Sequence, residues 1–222
     1  MREAQRALVP WATPALLLLS LAVFLVFWSL PPAERAARMI AWGAVPGELF
    51  EPGEPLPARL RDDLPRLFTA LFVHEDAWHL SGNLLFLVLF GFAAEHSLGS
   101  LRFLSLFLLS GAGSVLAAAW LAPSSHQVVI GSSGAVSAVL GAYLWLFPRA
   151  RLGLILPLGL YFETIRVSAA WLFGFWAALQ LIFTLFGPGL GKVAWSAHGA
   201  GFAAGILFAV LHRSALRRVS RP

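Results

Sequence analysis

Long apolar stretches at about residues 11–30, 78–97, 101–121, 133–147, 168–186 and 194–213 leave this chain few folds to choose from. A bilayer core of roughly 30 Å takes ~20 helical residues to cross. Within it every backbone N–H and C=O must be paired inside the spanning structure, so runs like these cross as helices. Composition agrees: 59% of the residues are hydrophobic, 12% are charged, and the mean hydropathy is +0.77. Soluble domains carry about a quarter charged residues, so this chain has too little polar surface to face water all round. The expectation is an all-α polytopic membrane protein with six transmembrane helices, a short fourth helix and a long loop between the first two. Cysteine is absent, which removes disulfides and thiolate–metal sites.

The first stretch, "WATPALLLLSLAVFLVFWSL", follows Arg2 and Arg6 and invites a signal-peptide reading. Its apolar run exceeds the roughly 7–15 residues of a signal core, and no small-x-small cleavage site follows. It reads as a retained span. Residues 31–77 form a long connection rich in Pro, Glu and Arg, and a loop of that length is functional or disordered. Within it "AERAARMIAWGA" reads as a short amphipathic helix at the interface, anchored by Met39, Ile40 and Trp42; the alternative is a plain solvated loop.

Charge sets the expected orientation. With the N-terminus inside, the inner segments hold Arg2, Arg6, Arg102, Arg149, Arg151, Arg166, Arg213, Arg217, Arg218 and Arg221 against Glu3, Glu95 and Glu163. The outer segments hold Arg35, Arg38, Arg59, Arg61, Arg66 and Lys192 against eight acidic residues of the long loop. By the positive-inside rule both termini are cytoplasmic, and the net charge of +5 needs no nucleic-acid partner. The expected division is a cytoplasmic N-terminus at 1–10, a six-helix membrane domain at 11–213 and a basic cytoplasmic tail at 214–222.

The fourth stretch is too short. Pro148 and Arg149 mark its inner end, so a helix from Ser133 to Phe147 has 15 residues, about 22 Å at 1.5 Å each. Ser133 then lies below the outer membrane surface, and "APSSHQVVIGSS" must enter the membrane as irregular backbone. Such backbone is tolerated only inside protein or beside a water-filled cavity. A wet pocket opening outward, with Ser133 at its floor, is the implied arrangement.

Polar groups within spans are functional hypotheses by default, and here they are His79 and Asn83 in the second, Gln180 in the fifth and His198 in the sixth. His198 opens "AHGAGFAAG", whose small residues suit close helix packing. By itself that is equally a packing face with an incidental histidine. Packed against Gly134, Ala138 and Gly141, however, it brings His198 to Ser133, and a serine beside a histidine is the nucleophile–base unit of acyl transfer. His79 and Asn83 stand four apart on one helical face. They read either as simple interhelical hydrogen bonding or, with backbone N–H groups at the start of the fourth helix, as an oxyanion hole. A metal site is disfavoured: His74 and His79 are five apart, and His126 or His198 would be the only further ligands, with no acidic residue at span depth. Nothing acidic lies near His198 within the spans, so a Ser–His dyad is favoured over a triad.

Three motifs now align. "GSSGAVSA" fits G-x-S-G-x-x-x-A, "AHGAGFAAG" fits A-H-x-x-G-x-x-x-G, and "HLSGN" fits H-x-x-x-N. On the fourth, sixth and second spans they resemble the rhomboid intramembrane serine proteases, over about residues 61–210. The resemblance implies Ser133 as nucleophile, His198 as general base, and an oxyanion hole from His79, Asn83 and the Ser133 backbone N–H. It also implies Gly131, Gly134, Gly201 and Gly205 in turning and helix packing, no cofactor and no metal. "RLFTALFVHEDAWH" looks like the family's loop before the second helix. Arg66 takes the arginine position of its Trp-Arg signature, Pro65 replaces the tryptophan, and His74 matches a histidine of structural role. Ser137 stands where some members carry an aromatic that stacks on the base; Trp195 and Phe202 are the candidate substitutes.

The implied activity is cleavage of single-span membrane proteins near the outer face of the plasma (inner) membrane. Substrates would enter between the second and fifth spans, under a cap formed by "GPGLGKVAWS", whose glycines are equally normal in any tight loop. The partners are transmembrane protein substrates and lipid. A soluble α/β-hydrolase is excluded because Ala135 occupies the last glycine of G-x-S-x-G. The alternatives are a catalytically inactive relative acting as a membrane-protein scaffold and, further off, a transporter.

Overall fold

The computed structural model describes residues 9–49, 61–158, 161–186 and 191–219. Arg2, Arg6, Arg59, Arg221 and residues 187–190 of the expected cap lie outside them, as do the side chains of Gln180 and Lys192. The main helices are α1 (Ala12–Trp28), α2 (Pro32–Trp42), α3 (Pro46–Leu49), α4 (Leu64–Thr69), α5 (Ala77–Leu98), α6 (Ser100–Leu121) and α7 (Ser133–Leu146). A hairpin of β1 (Arg151–Leu158) and β2 (Tyr161–Ser168) follows, then α8 (Ala169–Phe186) and α9 (Gly191–Val219). Among the described residues α5, α6 and Trp195–His212 of α9 are long and apolar enough to cross a membrane, while α1 and α7 are shorter apolar helices. Outward-facing Leu18, Leu109, Leu207 and Leu211 are largely uncovered by protein, as they are when lipid is the solvent. The chain is a mainly helical, multi-pass membrane protein.

The hairpin corrects the all-α expectation. Residues 151–168 lie between two apolar helices, and Gly153 and Pro157 make them read as a connecting loop. Yet Tyr161, Thr164, Ile165 and Val167 are good strand formers, and β1 and β2 pair antiparallel along their whole length.

Two helix ends find their partners in distant segments of the chain. The start of α1 exposes N–H groups that its own turn cannot satisfy, and the buried carboxylate of Glu95 accepts from Ala12 N and Thr13 N, both at 2.7 Å. Ser100 Oγ donates to the same carboxylate at 2.6 Å. Glu95 thus lies buried near the end of α5, where it serves the start of α1. Gly99, at φ +83°, breaks α5 from α6, a backbone setting that costs glycine little. At the other end of the long connection, α2 forms as expected from its amphipathic pattern, and its last carbonyls are capped in trans. Arg66 donates from Nε to Gly43 O at 2.8 Å and from Nη2 to Ile40 O at 3.0 Å, and Thr69 Oγ donates to Trp42 O at 2.7 Å. The ion pair of Arg66 with Glu48 at 2.5 Å is half-exposed on the glutamate side and adds little by itself.

The core centres on α7, whose residues from Gly134 to Tyr143 are all buried. Its contact with α9 is backbone against backbone. A Cβ on Gly201 would collide with the carbonyl of Gly134, one on Gly205 with the carbonyl of Ala138, and one on Gly141 with the carbonyl of Phe202. Small residues at that spacing let two helices approach closely.

Candidate active site

α7 has 14 residues, about 21 Å of helix, and the segment before it carries irregular backbone inward to Ser133. That segment is tied down at four places. Ala44 and Val129 exchange backbone hydrogen bonds at 3.0 and 2.7 Å, Gly47 N donates to Ser125 O, and Gly131 N donates to Ala70 O at 2.8 Å. The fourth tie is His74, fully buried, which meets Ser132 Oγ at 3.3 Å through Nε2 and Phe72 O at 3.2 Å through Nδ1. Ser132 N also donates to His74 Nε2, at 3.5 Å. Since the Phe72 carbonyl can only accept, the proton of His74 belongs on Nδ1 and Nε2 is the acceptor. Burial, with the neighbouring His79, pushes the His74 imidazolium down to about 4, so the ring is neutral. The long connection therefore holds the loop that leads into α7.

Past that loop, the seam between α7 and α9 brings two polar groups together. His198 Nε2 lies 2.7 Å from Ser133 Oγ, and the imidazole is almost fully buried. This is hydrogen-bond reach for a nucleophile and its base. Ser137, one turn on, donates from Oγ to the Ser133 carbonyl at 2.8 Å. The Phe202 ring is stacked on Phe173 at 4.3 Å, and Trp195 is part-exposed.

α5 supplies the opposite wall. Asp76 caps it, accepting from His79 N at 2.8 Å, and so fixes the first turn that carries His79. Asn83 follows one turn later, buried, and its Nδ2 has no hydrogen-bond partner among the described residues. An orphaned buried donor is costly and demands an acceptor from outside the protein. Gly131, at φ +103°, turns the loop between these walls. A Cβ there would fall 2.6 Å from the His79 ring, so conformation and space both require glycine. The backbone N–H of Ser133, at the first residue of α7, belongs to the turn whose donors have no intrahelical acceptor.

These groups line one cavity of about 410 Å³, in which His79, Asn83, Ser133 and His198 share the wall with apolar Phe86, Val115 and Val136. Glu75, Trp78 and Gln127 also border it. Ser114 of α6 lines it too, donating from Oγ to Gly111 O at 2.7 Å and filling the space beside Gly134. The sequence reading passed over Ser114 because a serine among small residues in "LLSGAGSVLAAAW" looks like helix packing. Among the described residues no group of three His, Cys, Asp or Glu side chains is set to hold a metal. Arg66, on α4, and His74, in the loop before α5, stand outside the cavity and support it.

A Rhomboid domain family model matches residues 61–215. Over 106 residues the chain is 33% identical to Rhomboid protein 1, mitochondrial, of Saccharomyces cerevisiae, covering 45% of this chain and 31% of that protein. It is 36% identical over 80 residues to RHOMBOID-like protein 6, mitochondrial, of Arabidopsis thaliana, covering 36% of this chain and 25% of that one. A 68-residue match to Rhomboid-like protein 11, chloroplastic, of the same plant is 40% identical, covering 31% of this chain and 24% of that protein. Each match spans less than a third of the relative's own length. With the domain match covering most of its length, the chain belongs to the rhomboid family.

Proposed function

We propose that this chain is an intramembrane serine endopeptidase that cuts single-span membrane proteins near the outer membrane face through a Ser133–His198 dyad. The observation that carries the reading is the 2.7 Å contact between His198 Nε2 and Ser133 Oγ inside a polar-walled cavity. Ser133 Oγ attacks the scissile carbonyl carbon while His198 Nε2 takes its proton. The carbonyl oxygen becomes an oxyanion, received by Asn83 Nδ2, the His79 imidazole and the Ser133 N–H. The C–N bond breaks, the leaving amine takes the proton from His198, and an acyl-enzyme remains. Water, deprotonated by His198, attacks that ester; the second tetrahedral intermediate expels Ser133 Oγ, which recovers its proton from the imidazole.

The same proposal puts both termini of a six-span domain, residues 11–213, in the cytoplasm of an inner-membrane protein. The cavity then opens outward and substrates reach it between α5 and α8. The placement of arginines supports this orientation.

Purified protein in liposomes is expected to cleave a single-span reporter substrate, and Ser133→Ala is expected to abolish cleavage while the fold persists. Undiminished cleavage by folded Ser133→Ala protein would falsify the assignment; wild-type protein that binds the reporter without cutting it would mark a scaffold. A serine-directed reagent should label position 133, and labelling at 132 would move the nucleophile. Asn83→Ala should lower kcat by about 10²–10³-fold and leave thermal stability nearly unchanged, because its Nδ2 has no hydrogen-bond partner to lose among the described residues.

A further inference from the structure

The dyad and the oxyanion donors account for the polar floor of the cavity but not for its rim. Among the described residues that line it, Glu75 carries the one formal charge, and no lysine or arginine belongs to the lining. The Glu75 side chain is exposed and forms no ion pair with another described residue. Asp76, next in the chain, is occupied in capping α5 through His79 N. Trp78 lies at the same rim and is 88% exposed. A carboxylate and a tryptophan at the start of a span are ordinary at a water–bilayer boundary. These two, however, border the cavity that holds Asn83, whose buried Nδ2 has no acceptor among the described residues.

Helix geometry sets how far the rim stands from that donor. Asn83 lies two turns below the cap residue Asp76, about 10 Å along the helix. An extended peptide rises about 3.3 Å per residue, so a residue about three positions from the scissile bond reaches the rim.

We infer that the mouth of the cavity selects substrates: Glu75, with Trp78 at the same rim, holds a lysine or arginine about three residues to the outer side of the scissile bond. The carboxylate attracts the cation, and an exposed indole face adds a cation–π contact. Positive charge concentrates on the inner flanks of membrane spans, so an outer-flank lysine or arginine marks a minority of passing proteins. The contact is made equally in the ground and transition states, so it lowers KM rather than raising kcat. The inference rests on the proteolytic reading of the cavity and adds a substrate class to it.

The test uses three single-span reporters that differ in one residue, Lys, Gln or Glu, three positions outside the mapped cut. They compete for the full chain in phosphatidylcholine liposomes. Wild-type protein should favour Lys over Gln by about threefold to tenfold in kcat/KM, with Glu below Gln. The preference should lie in KM and shrink in about 1 M salt, where charges are screened beyond about 3 Å. Glu75→Gln should level the Lys-to-Glu ratio, and Glu75→Lys should invert it. Each ratio is taken within one protein, so a general loss of activity cancels. Binding of the same reporters to Ser133→Ala protein, followed by energy transfer, reads the preference with the chemistry removed. A Lys preference in binding, without cleavage by wild-type protein, would overturn the protease reading and uphold selection by Glu75. Equal treatment of all three reporters overturns the inference, and a Lys preference that survives both Glu75 substitutions overturns the assignment to Glu75. Binding of no reporter would overturn both readings.

Discussion

The α7–α9 seam and the attachment of α8 are built in opposite ways. In the seam, backbone meets backbone: Gly201 faces the Gly134 carbonyl and Gly205 faces that of Ala138, with no side chain between. α8 meets α9 through an aromatic contact, Phe173 stacked on Phe202 at 4.3 Å, and leaves Trp171 and Phe175 largely uncovered. Helices in backbone contact cannot shift without collision, whereas side-chain contacts can slide and change rotamer. The Ser133–His198 distance is therefore set by tight backbone packing. Among the described residues, the helix proposed to flank substrate access is held to α9 by stacked side chains.

The largest effect that would break this contrast comes from filling the seam. Gly205→Val forces its Cβ into the Ala138 carbonyl and should cost about 3 kcal/mol or more. A lowered thermal midpoint in detergent and loss of serine-reagent labelling at 133 would both follow; a stable, reactive Gly205→Val protein would show that the seam is not tight. Phe173→Ala should act more gently, removing a stacked pair worth about 1 kcal/mol. Serine-reagent labelling should persist while the KM for a membrane substrate changes, and loss of labelling would mean that α8 also positions the dyad. The smallest effect is on acid stability. His74 titrates near 4 when folded against an ordinary 6.5, so between these values the unfolded chain binds more protons. Stability should then fall as pH drops through that window, and His74→Asn should flatten this part of the profile measured by thermal unfolding.

Much of this architecture was legible because the bilayer enforces it. Apolar length located the described helices, the shortness of the fourth run matches a 14-residue α7 entered by irregular backbone, and small-residue spacing anticipated how His198 reaches Ser133. The features that escaped are those in which a residue serves a distant segment. Glu95 reads as a charge at a helix end until α1 is seen resting on it. Arg66 caps α2 across 23 to 26 positions of chain, and no local pattern encodes which carbonyls it will meet. The hairpin was hidden by its glycine and proline, which mark loops by propensity, while the pairing that overrides them is visible only in three dimensions.

The clip at Glu95 also bears on how the chain assembles. α1 is made before α5, yet two N–H groups at its start are bound by a carboxylate 82 and 83 residues downstream. Until α5 has been made and has brought its far end to the same side, water has to satisfy those N–H groups. An inverted α5 would carry Glu95 to the wrong side and leave that helix end unmatched. One buried side chain thereby favours the arrangement in which α1 and α5 run in opposite directions.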